Sequence, residues 1–279
     1  MKVFLLTAVT MVAFASNSVL GRVGLIDGET GPIAFAAIRI AAGALMLSVL
    51  MTLRGQSQRR SVEARAKGAG SLLLYVLAFS LAYVTLPAGL GALILFGVVQ
   101  LTMFAGALYT REVIPLARWL GMAMAFGGLV LLLWPSGGGA PDLVGSLLMA
   151  VSGIGWGLYS LFGRGQSDPL GATAGNFLWT VPATLLAWAL VQDGVTPMGA
   201  VWAIISGAIT SALGYALWYT VLPQLKSTSA AVAQLTVPVI ATAGGVLFLG
   251  EDLTLRFMIA TLIVLGGIAV ALTASAKRA

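Results

Sequence analysis

The stretch Leu247-Phe248-Leu249-Gly250-Glu251-Asp252, with the apolar run that follows it through Gly266-Gly267 to Ala271, decides the fold. An apolar segment ends in an acidic pair, and a second apolar segment bears a Gly-Gly pair fifteen residues after Glu251. The same layout stands earlier in the chain. Leu108 precedes Glu112, Gly127-Gly128 begins fifteen residues further on, and Gly106 matches Gly245. All these positions are offset by 139. A second echo supports the first: Leu5-Leu6, Ala8-Val9, Ser18 and Gly21-Arg22 recur as Leu147-Leu148, Ala150-Val151, Ser160 and Gly163-Arg164, offset by 142. The sequence reads as one five-helix unit written twice, 1–136 and 137–279.

Composition fixes the solvent. Hydrophobic residues make up 59% of the chain and charged residues 9%, against roughly 25% charged in a soluble domain. The mean hydropathy is +1.01. Nine acids (Asp27, Glu29, Glu63, Glu112, Asp142, Asp168, Asp193, Glu251, Asp252) fall between apolar runs, which is how a polytopic helical membrane protein is punctuated. The net charge of +6 resides in short connections, so it sets orientation in the bilayer rather than inviting nucleic acid. Cysteine and histidine are both absent, which removes disulfides, thiolate sites and the commonest metal ligand. No cofactor, metal or catalytic residue is expected.

Windows of about 20 apolar residues predict ten spans, near 3–21, 32–53, 70–86, 89–109, 116–134, 142–162, 171–191, 198–220, 227–249 and 255–274. Lys2, an apolar run and Ala13-Phe14-Ala15 resemble a signal peptide, but the copy of this segment at 147–164 argues for a helix that stays. Twelve of the fifteen basic residues lie at the termini or in even-numbered connections, so both termini are expected in the cytoplasm of a bacterial cell, with the chain in its inner membrane. The longest connection, Arg54 to Lys67, is expected along the inner surface. Five spans per half is an odd number, so the second copy enters from the opposite side. That symmetry suits a transporter whose halves exchange conformations.

The 5+5 plan, Arg39 in Phe35-Ala36-Ala37-Ile38-Arg39 and the paired Gly/Glu…Gly-Gly blocks resemble the EamA-type members of the drug/metabolite transporter (DMT) superfamily over essentially the whole chain. Within that group the sequence most resembles the YddG-type bacterial amino-acid exporters. The resemblance implies an all-α membrane carrier with ten transmembrane helices in two inverted repeats, exporting small metabolites through a cavity between them. One departure is that Val98-Val99 stands in the first half near where the second has Pro238, which makes a hinge at that level one-sided.

Helical spacing groups several aromatic and polar residues. Tyr75, Phe79 and Tyr83 are four apart, as are Phe96, Gln100 and Phe104. Trp156, Tyr159 and Ser160 share the sixth span, and Tyr215, Trp218 and Tyr219 the eighth. Asn17, Asn176, Trp179 and Gln234 lie well inside apolar runs. An unpaired polar group in hydrocarbon costs several kcal/mol, so these groups either bond between helices or line a cavity. The expected substrate-binding set is Tyr83, Gln100, Trp156, Tyr159, Trp179, Tyr215, Trp218 and Gln234. Tyr75 and Trp134 are expected to mark membrane interfaces instead.

Arg39 is the basic residue inside an apolar span. It could hold a substrate carboxylate or lock a gated state, and its retention across the family's varied substrates favours a gating or structural role. Glu112 and Glu251 are expected to cap the helices that follow them. The Gly-Gly pairs, with Gly121 and Ala125, form a close-packing face. Pro182 and Pro238 are expected to kink their spans.

No mid-span acid suggests a proton relay, and no phosphate loop suggests a pump. The expected activity is therefore facilitated diffusion of aromatic and other neutral amino acids by alternating access, in a monomer or weak homo-oligomer. The alternative is proton-coupled export of another small metabolite or drug, such as a nucleoside, a sugar-like compound or a cation. A membrane-embedded enzyme would need acids clustered at one face, which this sequence lacks.

Overall fold

The computed structural model describes residues 1–54, 62–111, 113–134, 141–163, 167–225 and 233–276, and the regular structure among these is helical. Among the described residues ten helices follow in order: α1 (Lys2–Leu25), α2 (Pro32–Leu53), α3 (Val62–Ala82), α4 (Ala88–Tyr109), α5 (Leu116–Leu133), α6 (Leu143–Gly163), α7 (Pro169–Val191), α8 (Pro197–Gln224), α9 (Thr236–Leu249) and α10 (Leu255–Ala276). Eight of them are long and apolar enough to cross a bilayer, and α9 is a shorter apolar helix. Large apolar side chains cover the outside, among them Leu262 (75% exposed) and Phe248 (78%). A surface of that kind is suited to lipid, not to water.

Three segments differ from the sequence expectation. α3 begins at Val62, so the basic connection is helical from Val62 to Lys67, and Arg65 and Lys67 ride on the first two turns. α8 passes through a π-helical stretch at Ile205–Leu213 and ends in a 3₁₀ turn. The ninth span is broken at Leu235, and α9 restarts at Thr236, putting Pro238 in its first turn. Proline is tolerated there because the first turn's N–H groups have no intrahelical partner, so Pro238 does not kink a helix. Pro182 does lie inside α7, which runs through it uninterrupted.

The packing repeats itself across the two halves. α2 pairs with α7, α4 with α9 and α5 with α10, while α3 packs on α6 as α8 packs on α1. Each of these relations maps onto itself or its counterpart when first-half helices are exchanged for second-half ones. An odd number of helices per half inverts the second copy. At the α5–α10 crossing the two backbones come close together. A Cβ on Gly121 would stand 2.4 Å from the Gly267 carbonyl oxygen, and one on Gly267 would stand 2.6 Å from that of Gly121. Gly128 also faces α10, whereas Gly127 and Gly266 meet nothing within 4 Å.

At the end bearing the odd-numbered connections, polar groups tie the halves together. The Asp193 carboxylate, after α7, accepts from the Ile33 and Ala34 N–H groups of α2 at 2.8 and 2.9 Å. Glu251, after α9, accepts from Ala88 N–H of α4. Asp142 accepts from the Thr85 hydroxyl at 2.9 Å. Arg256 of α10 donates to the Leu131 carbonyl near the end of α5 at 2.7 and 2.8 Å, and also to Trp134. The expectation that Glu251 caps the following helix is corrected here: Thr254 Oγ1 accepts from Phe257 N–H at the start of α10, at 3.1 Å. Glu112 lies outside the described residues.

Candidate functional site

Between the halves runs a file of aromatic rings. Tyr83, after α3, meets Phe79 edge-on at 4.6 Å between ring centres, and Phe79 meets Tyr75 at 5.4 Å. The file crosses from α3 to α6 at Tyr75–Trp156, 5.0 Å. Trp156 stacks on Tyr159 and on Tyr215 of α8, both at 5.3 Å. Tyr215 meets Phe14 of α1 at 5.6 Å, and Phe14 meets Trp218 at 6.1 Å. Offset and edge-on pairs at such distances contribute about 0.5–1.5 kcal/mol each beyond area burial. The four-residue spacings in α3 put three of these rings on one helical face.

Arg39 stands beside this file, 2% exposed. Its Nη2 donates to the Tyr75 hydroxyl at 2.9 Å and to Ser211 Oγ at 3.3 Å. Its guanidinium carbon lies 4.6 Å from the Phe79 ring centre and 5.5 Å from that of Tyr75. Placing a charge at this depth costs about 2.5–3.5 kcal/mol on an insertion scale, and the ring faces return about 0.5–2 kcal/mol each. Nη1 is buried and meets no hydrogen-bond acceptor among the described residues.

Ser211 links Arg39 to a second polar centre. Asn17 Oδ1 accepts from Ser206, Thr210 and Ser211 at 2.9, 2.7 and 3.1 Å. These three hydroxyls sit in the π-helical stretch, whose wider i→i+5 turns gather them around one acceptor. Gly207 in the same stretch lets α8 lie on α2, since a Cβ there would stand 2.0 Å from the Arg39 carbonyl oxygen.

The structure thus gathers Tyr83, Trp156, Tyr159, Tyr215 and Trp218 of the predicted set into one file, next to Arg39. The Tyr159 hydroxyl donates to Thr173 at 3.2 Å, and that of Tyr83 to the Ala88 carbonyl at 3.3 Å. Gln100 in α4 and Gln234 before α9 are half-buried and make none of the ring contacts. Trp179 is 42% exposed, beside Leu178, Leu185 and Leu186 on the outer side of α7, where Pro182 also lies. The carbonyl that Pro182 leaves unbonded is therefore on the outer side of the helix, away from the rings. Phe14, Phe79 and Tyr75 join the file and the three hydroxyls of α8 gather beside Arg39; the predicted set leaves all six out, although Ser206 and Thr210 are four apart in sequence. Tyr75 is 6% exposed and serves Arg39, not a membrane interface.

A cavity of about 240 Å³ opens elsewhere, at the tied end, lined by Leu90, Leu132, Thr242, Glu251, Arg256 and Phe257 among others. None of the file's rings lines it. Glu251 at its wall has its carboxyl pushed above the usual carboxylate range by partial burial, an effect opposed by the Ala88 N–H, the Arg22 charge and the Gly89 N–H. Among the described residues no cluster of acids could hold a metal ion.

A bundle of apolar helices in two interlocked halves, with a lipid-suited exterior and polar groups converging between the halves, defines a multi-pass membrane protein. Residues 143–273 match the model of the EamA-like transporter family. An uncharacterized protein of Pseudomonas aeruginosa is 47% identical over 285 aligned residues, covering 100% of this chain and 97% of that one. A probable amino-acid metabolite efflux pump of Salmonella typhimurium is 25% identical over 66% of this chain and 67% of its own length. A crystal structure at 23% identity superposes with a TM-score of 0.66, covering 97% of this chain and 98% of that one, and so shows the shared fold. The chain belongs to the EamA-like transporter family of the DMT superfamily.

Proposed function

We propose that this protein is an inner-membrane exporter of amino acids, favouring aromatic and other neutral ones, that works by alternating access between units 1–136 and 137–279. The observation that carries the reading is the ring file. It is built from α1, α3, α6 and α8, which are two pairs of counterparts under the exchange of halves. A path lined by counterpart helices opens to either side when the halves trade conformations. Rings in mutual contact leave no gap for a third, but when the halves move apart their freed faces would accept a flat apolar side chain and discriminate weakly among such side chains, since one methylene is worth about 1–3 kcal/mol. The likeness to an amino-acid metabolite efflux pump supports the same substrate class. With both termini in the cytoplasm, the tied end carrying Glu251 faces outward.

Facilitated diffusion is the preferred mode, because among the described residues the hydrogen bonds of the Tyr75, Tyr83 and Tyr159 hydroxyls run to Arg39, the Ala88 carbonyl and Thr173 and not to an acid. Proton-coupled export is the second reading, and Glu251 favours it. Its carboxyl sits above the ordinary range and joins the halves, so uptake or release of a proton there would alter that join. The deciding experiment is uptake of labelled amino acids into liposomes holding this protein alone, with and without a pH gradient. Saturable uptake of phenylalanine or leucine without the gradient is expected. Uptake that requires the gradient favours coupling, and no uptake of any amino acid removes the proposal.

A further inference from the structure

We infer that the Nη1 edge of the Arg39 guanidinium receives the carboxylate of the transported molecule, so that an anionic group is a requirement for transport and not an incidental feature of the substrate. This rests on the transport reading above and adds the chemical group that is recognised. Arg39 is almost wholly buried, yet no carboxylate pairs with it among the described residues. An ion in a low-dielectric interior is ordinarily matched by a counter-charge. Here only two neutral hydroxyls and two ring faces attend it, all directed to Nη2 or to the face of the group.

The geometry is suited to an incoming acid. Tyr75 and Ser211 take the two N–H groups of Nη2 at 2.9 and 3.3 Å, which fixes the plane of the guanidinium and leaves the N–H groups of Nη1 to donate to a carboxylate oxygen. The Tyr75 ring lies 5.5 Å from the guanidinium carbon and 5.0 Å from the Trp156 ring, so the cation stands at the head of the Trp156–Tyr215 stack. An amino acid whose side chain enters that stack would present its carboxylate toward Arg39. Ser211 joins the same guanidinium to Asn17 and to the second half, so occupation of Nη1 would be felt across the interface.

The test compares L-phenylalanine and 3-phenylpropionate, which carry the carboxylate, with L-phenylalaninamide, which does not. Binding is read from tryptophan fluorescence in detergent and transport from competition in proteoliposomes. The native protein is expected to prefer the two carboxylates by about tenfold or more, in line with a charge-assisted hydrogen bond. Arg39→Met should bring that preference to within about twofold, with Arg39→Lys intermediate. Equal binding of acid and amide by the native protein overturns the inference even where transport stands. So does an Arg39→Met variant that folds and loses all three solutes in equal proportion, because that is the behaviour of a helix tie. Should Arg39→Met fail to fold, the native preference alone decides. Absence of transport for every solute strikes the proposed function instead, and the fluorescence comparison still judges Arg39.

Discussion

Glu251 holds Ala88: both carboxylate oxygens accept the Ala88 backbone N–H, at 2.7 and 3.0 Å, so the loop after α9 caps the start of α4 in the other half. Two glycines make this possible. Gly250 takes a left-handed turn (φ 64) that ends α9, and Gly245 leaves room for the carboxylate, since a Cβ there would stand 2.1 Å from Glu251 Oε2. Removing a cap costs about 0.5–2 kcal/mol. Glu251→Ala should therefore lower the midpoint of thermal unfolding in detergent, and Glu251→Gln, which keeps an acceptor, should lower it less. Gly245→Val should behave like Glu251→Ala by displacing the same carboxylate. An unchanged midpoint for both Glu251→Ala and Gly245→Val would mean that the cap contributes nothing.

The same carboxyl gives stability a pH dependence of definite sign. Partial burial raises its folded-state pKa above the ordinary value, so the folded protein binds this proton more tightly than the unfolded chain does. The stabilisation is complete below the unfolded pKa and is lost as pH rises through the raised folded one. Thermal midpoints measured from about pH 4 to 7 should decline across the lower part of that range. In Glu251→Gln this component of the decline should vanish. Parallel curves for the two proteins would contradict the assignment.

The all-helical membrane-spanning plan and most of the ring file could be read from the chain, because periodicity within a helix is local information. The side of the bundle each face meets is not. The spacing of Tyr75, Phe79 and Tyr83 was visible, but only the position of Arg39 on another helix distinguishes Tyr75 from an interface residue. Glu251 was recognisable as a cap, yet the N-terminus it serves lies in the other half of the sequence. Trp179 looked like a site residue because amphipathic groups inside apolar runs usually face inward, and α7 turns it toward the exterior. The π-helical stretch that gathers Ser206, Thr210 and Ser211 leaves no periodic mark.

The Gly-Gly pairs illustrate the same limit and give a sharp contrast. Gly121 and Gly267 bring the backbones of α5 and α10 together, while Gly127 borders open space. Gly121→Val should disrupt this crossing and reduce the folded yield, since overpacking commonly costs about 1–3 kcal/mol and here meets backbone rather than a movable side chain. Gly127→Val should be tolerated. Size-exclusion profiles in detergent compare the two directly, and equal behaviour would refute the α5–α10 contact.

Trp156 and Trp179 separate the ring file from the lipid-facing surface. Trp156 has three ring neighbours at 5.0–5.3 Å, whereas Trp179 is 42% exposed and joins none of the ring pairs in the file. If substrates travel along the file, Trp156→Ala removes stacking that contributes about 0.5–1.5 kcal/mol per pair and should raise KM for phenylalanine roughly 3- to 10-fold. Trp156→Phe keeps a flat ring and should recover part of that loss, and Trp179→Ala should leave the kinetics unchanged. All three variants need comparable incorporation into liposomes, since a loss of folded protein lowers the maximal rate without changing KM. A rise in KM for Trp179→Ala equal to that for Trp156→Ala would move the substrate path away from the rings, because a lipid-facing side chain has no means of touching a solute that passes between the halves.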